Sequence, residues 1–174
     1  TPLAILISKT KTTTITLKVM IEAFNEIKSH YEKAKKIAQP ENSELAFWFP
    51  ASSINELARI KHAVEQIKNQ AVKRFFLLVI SQILPLVSYA DHRDLKLRRS
   101  KEKVKNQFAP NVWQVFERQA CRNMAGMAAF NQYRFNSVNA RIIEADTRCV
   151  SSIPDESVDV IVTSPPYGDS ATTV

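Results

Sequence analysis

Glycine, cysteine and histidine are scarce in this sequence, and each shortage excludes a kind of site. Only two glycines, Gly126 and Gly168, occur among the 174 residues. The chain therefore cannot contain the glycine-rich loop that cradles phosphates or a dinucleotide. Cys121 and Cys149 show neither a disulfide framework nor metal-ligand spacing, which favours a reducing, cytoplasmic location. The three histidines stand apart from one another, so no metal site is predicted.

Long apolar runs and an initiating methionine are also missing. The longest apolar run, 75–84, is interrupted by Ser81 and Gln82 and followed by Pro85. It is too short and too broken to cross a bilayer, and no membrane partner is predicted. The chain begins at Thr1 and ends at Val174, and we expect it to be an internal piece of a longer protein.

The charge balance points to a polyanionic partner. The sequence has the size of one domain and is 45% hydrophobic, with 24 Lys and Arg residues against 17 Asp and Glu residues, a net charge of +7. A basic excess of this size favours nucleic acid before other partners.

Helical periodicity dominates the first three quarters of the chain. Apolar spacing predicts an amphipathic helix over 17–38 and further helices over 53–67, 71–84 and 112–135. Ser53 and Glu56 match a capping box that would open the second of these helices. Phe75–Ile80 is apolar nearly all round, which predicts the most buried helix. Trp48 is interpreted as an aromatic anchor between helices.

A basic stretch, residues 91–105, interrupts this pattern. Seven of its residues are Arg or Lys, which predicts an exposed loop or a frayed helix. Its side chains are candidates for contact with DNA phosphates. The candidates are Arg93, Lys96, Arg98, Arg99 and Lys101. A solvated charged linker explains the same composition, and that alternative stays open.

From Ala140 onward the pattern changes to β-branched runs. Residues 141–145 and 158–163 predict two short strands, parallel neighbours or one strand apart. The second is followed by Ser164-Pro165-Pro166-Tyr167. Because proline has no N–H, this corner leaves the Ser164 hydroxyl and nearby carbonyls as fixed acceptors beyond the sheet. Such acceptors suit an exocyclic amino group of a nucleobase, and a tyrosine ring can stack on a base flipped out of the helix.

The string Thr-Ser-Pro-Pro-Tyr at 163–167 resembles the catalytic motif of amino-methylating DNA methyltransferases. These enzymes, known from restriction-modification systems, use S-adenosylmethionine to methylate N4 of cytosine or N6 of adenine. The resemblance implies that Ser164 and the Pro165 carbonyl hold the target amine, followed by Pro166, and that Tyr167 stacks on the flipped base. It also implies DNA as partner. The serine form favours N4 of cytosine, while some N6-adenine enzymes share it.

The same resemblance implies roles for two further segments. The acid at the end of the first predicted strand, Asp146, would contact the adenine amino group of the cofactor, although a turn-forming aspartate explains it equally well. Residues 1–10 resemble the family's Asn-Pro-Leu-Ala segment, with Thr1 in place of the Asn. The main binding loop for S-adenosylmethionine is then expected before residue 1, and the 174-residue piece alone is expected to be inactive.

These expectations combine into an α/β fold. It consists of a partial Rossmann-like methyltransferase sheet, with two strands near the C-terminus and a large, mainly α-helical insertion. The predicted parts are a core helix over 1–14, the insertion over 15–139 with its basic stretch, and core strands with the catalytic motif over 140–174. Two alternatives remain: methylation of RNA or of a protein amide, and a non-catalytic basic helical module with a Pro-Pro-Tyr recognition tail.

Overall fold

The computed structural model describes residues 2–35, 37–38, 42, 44–91, 97–133, 139–146, 150 and 152–163. The chain divides into two compact units, Thr1–Ile142 and Ile143–Val174. All helices among the described residues belong to the first unit. They are α1 (Pro2–Thr12), α2 (Leu17–Lys33), α3 (Leu45–Trp48), α4 (Ala51–Glu65), α5 (Gln70–Ile83), a 3-10 turn (Leu84–Leu86), α6 (Lys101–Lys105) and α7 (Val112–Gln132).

The core of the first unit is built around α5, as the apolar run 75–80 predicts. Asn69 caps this helix by accepting hydrogen bonds from the N–H groups of Ala71 and Val72, and α5 contacts α1, α2, α4 and α7. Phe76 is fully buried and its ring lies among those of Phe24 and Phe116, from α2 and α7. The helix ends at Ile83 and continues as the 3-10 turn that contains Pro85.

The α2 helix ends five residues before the predicted end at Ala38, and α4 supplies the reason. Arg59 donates hydrogen bonds to the carbonyls of Tyr31 and Ala34, at 3.0 and 2.8 Å, and so satisfies acceptors at the end of α2. Its guanidinium also pairs with Glu56 at 2.8 Å and lies over the Tyr31 ring. Tyr31 donates its own hydroxyl to Glu56. Burial, reinforced by that carboxylate, raises the pKa of Tyr31 to about 12.

The predicted capping box is wrong. The α4 helix begins at Ala51 with Pro50 as its N-cap, and no side chain caps it. Ser53 is already inside the helix, where its hydroxyl is buried without a hydrogen-bond partner. Glu56 instead accepts a hydrogen bond from Tyr31 and pairs with Arg59. Because α4 begins at Ala51, Ser53 lies in the first turn rather than at the N-cap position, and its hydroxyl cannot serve as the cap.

The predicted sheet is also wrong. Within 139–146 and 152–163 the structure contains no strand, and a single antiparallel bridge, Ala90 to Arg99, is found in the described part of the chain. Val160, Ile161 and Val162 are 76%, 81% and 93% exposed rather than buried. The physical reason is that β-branched residues favour a pleated surface only when neighbouring strands supply hydrogen bonds and packing. No such neighbour lies beside 158–163 among the described residues.

No helix among the described residues combines the length and the apolar character that crossing a membrane requires. The same residues also contain no group of three or more His, Cys, Asp or Glu side chains arranged to hold a metal ion.

Candidate nucleic-acid interface

The residues singled out from the sequence divide between described and undescribed parts of the chain. Outside the described residues lie the catalytic corner Ser164, Pro165, Pro166 and Tyr167 and the basic residues Arg93 and Lys96. Within them lie Arg98, Arg99, Lys101 and Asp146. The first three are brought together in one surface of the helical unit, and Asp146 belongs to the second unit.

Asp146 lies in an irregular, exposed segment of the second unit. Its carboxylate is accessible, which suits an acceptor for an amino group. A single exposed acceptor does not make a cofactor pocket, however. Asp146 therefore stays a predicted contact for S-adenosylmethionine.

A short backbone pairing, which we name the basic bridge (89–91 with 98–100), joins the start of the basic stretch to its middle. The Asp91 N–H donates to the Arg98 carbonyl and the Ser100 N–H donates to the Tyr89 carbonyl, both at 2.7 Å. The Ser100 hydroxyl then accepts from the Lys103 N–H at 3.2 Å and starts α6. Paired backbone groups therefore fix Asp91 and residues 98–100, and the short helix α6 follows them.

Two further contacts anchor the basic bridge to the helical unit. The Tyr89 N–H donates to the Trp48 carbonyl at 2.7 Å. The Lys103 ammonium donates to the carbonyls of Ser88 and Ala90, at 3.0 and 2.8 Å, and lies 4.8 Å from the centroid of the Phe108 ring. Since these groups already engage Lys103, this lysine holds the bridge together rather than presenting its charge to a partner.

Arg99 is the half-buried cation of the bridge. Its guanidinium carbon lies 4.4 Å from the Phe47 ring centroid and 5.1 Å from that of Tyr89. Both distances are typical of cation–π contacts. Its Nε is buried and has no hydrogen-bond partner in the protein. The planar guanidinium is thus held by aromatic rings, a role that a lysine ammonium fills poorly.

A cleft of about 540 Å³ opens beside the bridge. Its lining combines three cations with two carboxylates and one hydroxyl. These residues are Asp91, Arg98, Arg99, Ser100, Lys101 and Glu102. Arg98 and Lys101 are exposed. Chemically, the cleft offers charged donors together with carboxylate acceptors, which suits a polar and anionic ligand such as nucleic acid.

Sequence reasoning missed Phe47 and Tyr89 as members of this site. The nearby Trp48 was the aromatic residue singled out as a helix anchor, and in the structure it is partly buried and meets the Phe47 ring edge-on at 5.1 Å. Phe47 itself is 50% exposed. The only signal in the sequence is the aromatic run 47–49, and its pairing with Arg99, fifty-two positions on, has no signature in local spacing.

Comparison with known proteins adds one relative of known activity. The chain is similar to the Type II methyltransferase M.MvaI of Kocuria varians, with 30% identity over 187 aligned positions. The alignment takes in 99% of this chain and 41% of the relative, so the chain spans about two fifths of that protein. The chain matches no protein-family profile, and it matches no solved structure.

Proposed function

We propose that the chain is part of an S-adenosylmethionine-dependent DNA methyltransferase that methylates an exocyclic amino group, N4 of cytosine. The observation that carries this proposal is the 30% identity to a Type II methyltransferase along 99% of the chain. The Ser-Pro-Pro-Tyr corner supports it independently, because its chemistry suits an amino group, and the serine favours cytosine over adenine.

In the proposed reaction, this chain acts on the target base. The Ser164 hydroxyl and the Pro165 carbonyl accept hydrogen bonds from the two N–H groups of the amine and so fix the direction of its lone pair. Tyr167 stacks on the flipped base. The target nitrogen would itself attack the methyl carbon while the carbon–sulfur bond of the sulfonium breaks, with S-adenosylhomocysteine as the leaving group and one amino proton released to solvent. No covalent intermediate on the enzyme is then needed. S-adenosylmethionine supplies the methyl group, and Asp146 is proposed to accept a hydrogen bond from its adenine amino group.

The product of the reaction tests this function directly. The full-length protein is incubated with duplex DNA and methyl-labelled S-adenosylmethionine, and the DNA is digested to nucleosides. We expect label in N4-methylcytosine. Label in N6-methyladenine would move the target to adenine. DNA binding without any methyl transfer would support the non-catalytic basic module instead.

The exposed cations of the cleft are proposed to contact DNA phosphates. Each phosphate contact releases condensed counterions, and the slope of log affinity against log salt concentration is about −0.9 per contact. Replacing both Arg98 and Lys101 by alanine is therefore expected to reduce the magnitude of this slope by about 2 and to weaken binding equally for all sequences. The measurement is fluorescence anisotropy of a labelled duplex over a range of salt concentrations.

A matched control uses the exposed lysines of α2. Replacing Lys18 and Lys28 by alanine removes the same total charge from residues that are exposed on α2. We expect the salt slope of that variant to stay within the error of the unmodified protein. An equal loss of slope in both double variants would show that only net charge matters, and the cleft would then have no special part in binding DNA.

A further inference from the structure

The three cations of the cleft differ in how exposed they are. Arg98 and Lys101 are exposed, whereas Arg99 is half-buried and lies over the rings of Phe47 and Tyr89, 4.4 and 5.1 Å from their centroids. An exposed cation is sufficient for phosphate contact, because phosphate contacts position a protein on the duplex without reading its sequence. A guanidinium held in one plane is suited to recognition that depends on geometry.

The donors that Arg99 can offer to a ligand are defined by its surroundings. Its Nε is buried in the protein, while its side chain lines the cleft. The two terminal nitrogens are therefore the donors within reach of a ligand in that cleft. Two such donors match the O6 and N7 acceptors of guanine in the major groove, the pairing that arginine makes with a base edge.

The carboxylates in the same cleft favour a base pair over a plain phosphate site. Asp91 and Glu102 line it beside the cations, and a backbone phosphate has no hydrogen-bond donor to offer these acceptors. A carboxylate can instead accept a hydrogen bond from the N4 amino group of cytosine. A G·C pair presents both partners side by side in the major groove, and the cleft has donors and acceptors for both.

We propose that Arg99 determines specificity by reading a guanine in the major groove of duplex DNA, while Arg98 and Lys101 contact the backbone. The inference rests on the proposed function, since it takes duplex DNA as the substrate. Duplex RNA is a poor alternative, because side chains cannot read its deep and narrow major groove. Of the three cations that line the cleft, Arg99 would read the sequence and the other two would not.

The test begins with selection of binding sites by the full-length protein from a pool of randomised duplex DNA. Each guanine of the selected site is then replaced in turn by 7-deazaguanine, which lacks the N7 acceptor. We expect one guanine whose replacement weakens binding by about 5- to 150-fold. The same replacement should have no further effect in Arg99→Lys, which keeps the charge but loses the paired donors. The matched control, Arg98→Lys, should stay sensitive to the replacement.

The results distinguish a failure of the role given to Arg99 from a failure of the proposed methyltransferase function. If no guanine is sensitive in the unmodified protein, the inference is wrong, and this result does not depend on any variant being folded. If Arg99→Lys weakens all sequences equally or stays sensitive to 7-deazaguanine, Arg99 does not read that base. If the unmodified protein still methylates the selected duplex, the proposed function stands even when the role of Arg99 is contradicted. Failure of the unmodified protein to methylate any DNA overturns the proposed function and the inference with it.

Discussion

Replacing Phe116 by alanine is expected to lower the free energy of unfolding by about 3–5 kcal/mol. Phe116 is fully buried, and its ring centroid lies 6.3, 6.3 and 5.7 Å from those of Phe24, Phe76 and Trp113. These rings come from α2, α5 and α7, so removing one ring leaves a cavity that three helices would have to move to close. Urea unfolding followed by the helical circular dichroism signal measures the change.

Phe130 provides the control, because it lies on the same helix and carries the same side chain. It is 53% exposed, so Phe130→Ala is expected to cost about 1 kcal/mol, from the smaller apolar area it buries. Similar losses for the two variants would contradict the assignment of Phe116 to the centre of the core.

The second large effect concerns catalysis. Ser164→Ala is expected to reduce the rate of methyl transfer about a hundredfold, because losing one preorganised acceptor costs on the order of 3 kcal/mol in the transition state. The Pro165 carbonyl remains as the other acceptor, so some activity should persist. Tyr167→Ala should instead weaken capture of the flipped base, by about 1–3 kcal/mol for a lost stacking platform. Initial rates with methyl-labelled S-adenosylmethionine and saturating duplex DNA measure both variants in the full-length protein.

Ser152→Ala makes the same substitution at an exposed serine of the second unit and is expected to leave the rate unchanged. Far-ultraviolet circular dichroism shows whether each variant is folded. A folded Ser164→Ala protein with the rate of the unmodified protein would remove Ser164 from the proposed mechanism.

Periodicity predicted where helices form better than where they end. The apolar spacing from Met20 to Ile27 predicts α2, and those residues are buried in it. Its end depends on Arg59, whose guanidinium arrives from another helix to satisfy the carbonyls of Tyr31 and Ala34. A tertiary contact of this kind leaves no trace in the local pattern, so the predicted end at Ala38 was five residues too late.

The wrongly predicted strand at 158–163 has a different cause. The local pattern there is a strong strand signal, but a strand is a property of its neighbours as much as of its own residues. Val162, at 93% exposed, shows how little β-branched composition determines burial when no adjacent strand is present among the described residues.

The candidate interface was predictable in part. The density of cations in the basic stretch identified Arg98, Arg99 and Lys101 as one group. It did not distinguish them, because their different burial and the contacts of Arg99 with the rings of Phe47 and Tyr89 depend on tertiary packing. Those rings reach Arg99 through the packing of α3 and the pairing of the basic bridge, which only the folded structure reveals.

The positions of the two tryptophans give the protein a pair of separate optical reporters. Trp113 is stacked on Tyr31 with ring centroids 4.2 Å apart, so its fluorescence should follow the integrity of the helical core. Trp48 shares α3 with Phe47, which contacts Arg99, and its carbonyl holds Tyr89. Emission from Trp48 should therefore respond to ligands in the cleft. A Trp48→Phe protein would keep only the core signal, so comparing its emission with that of the unmodified protein would separate ligand binding from unfolding.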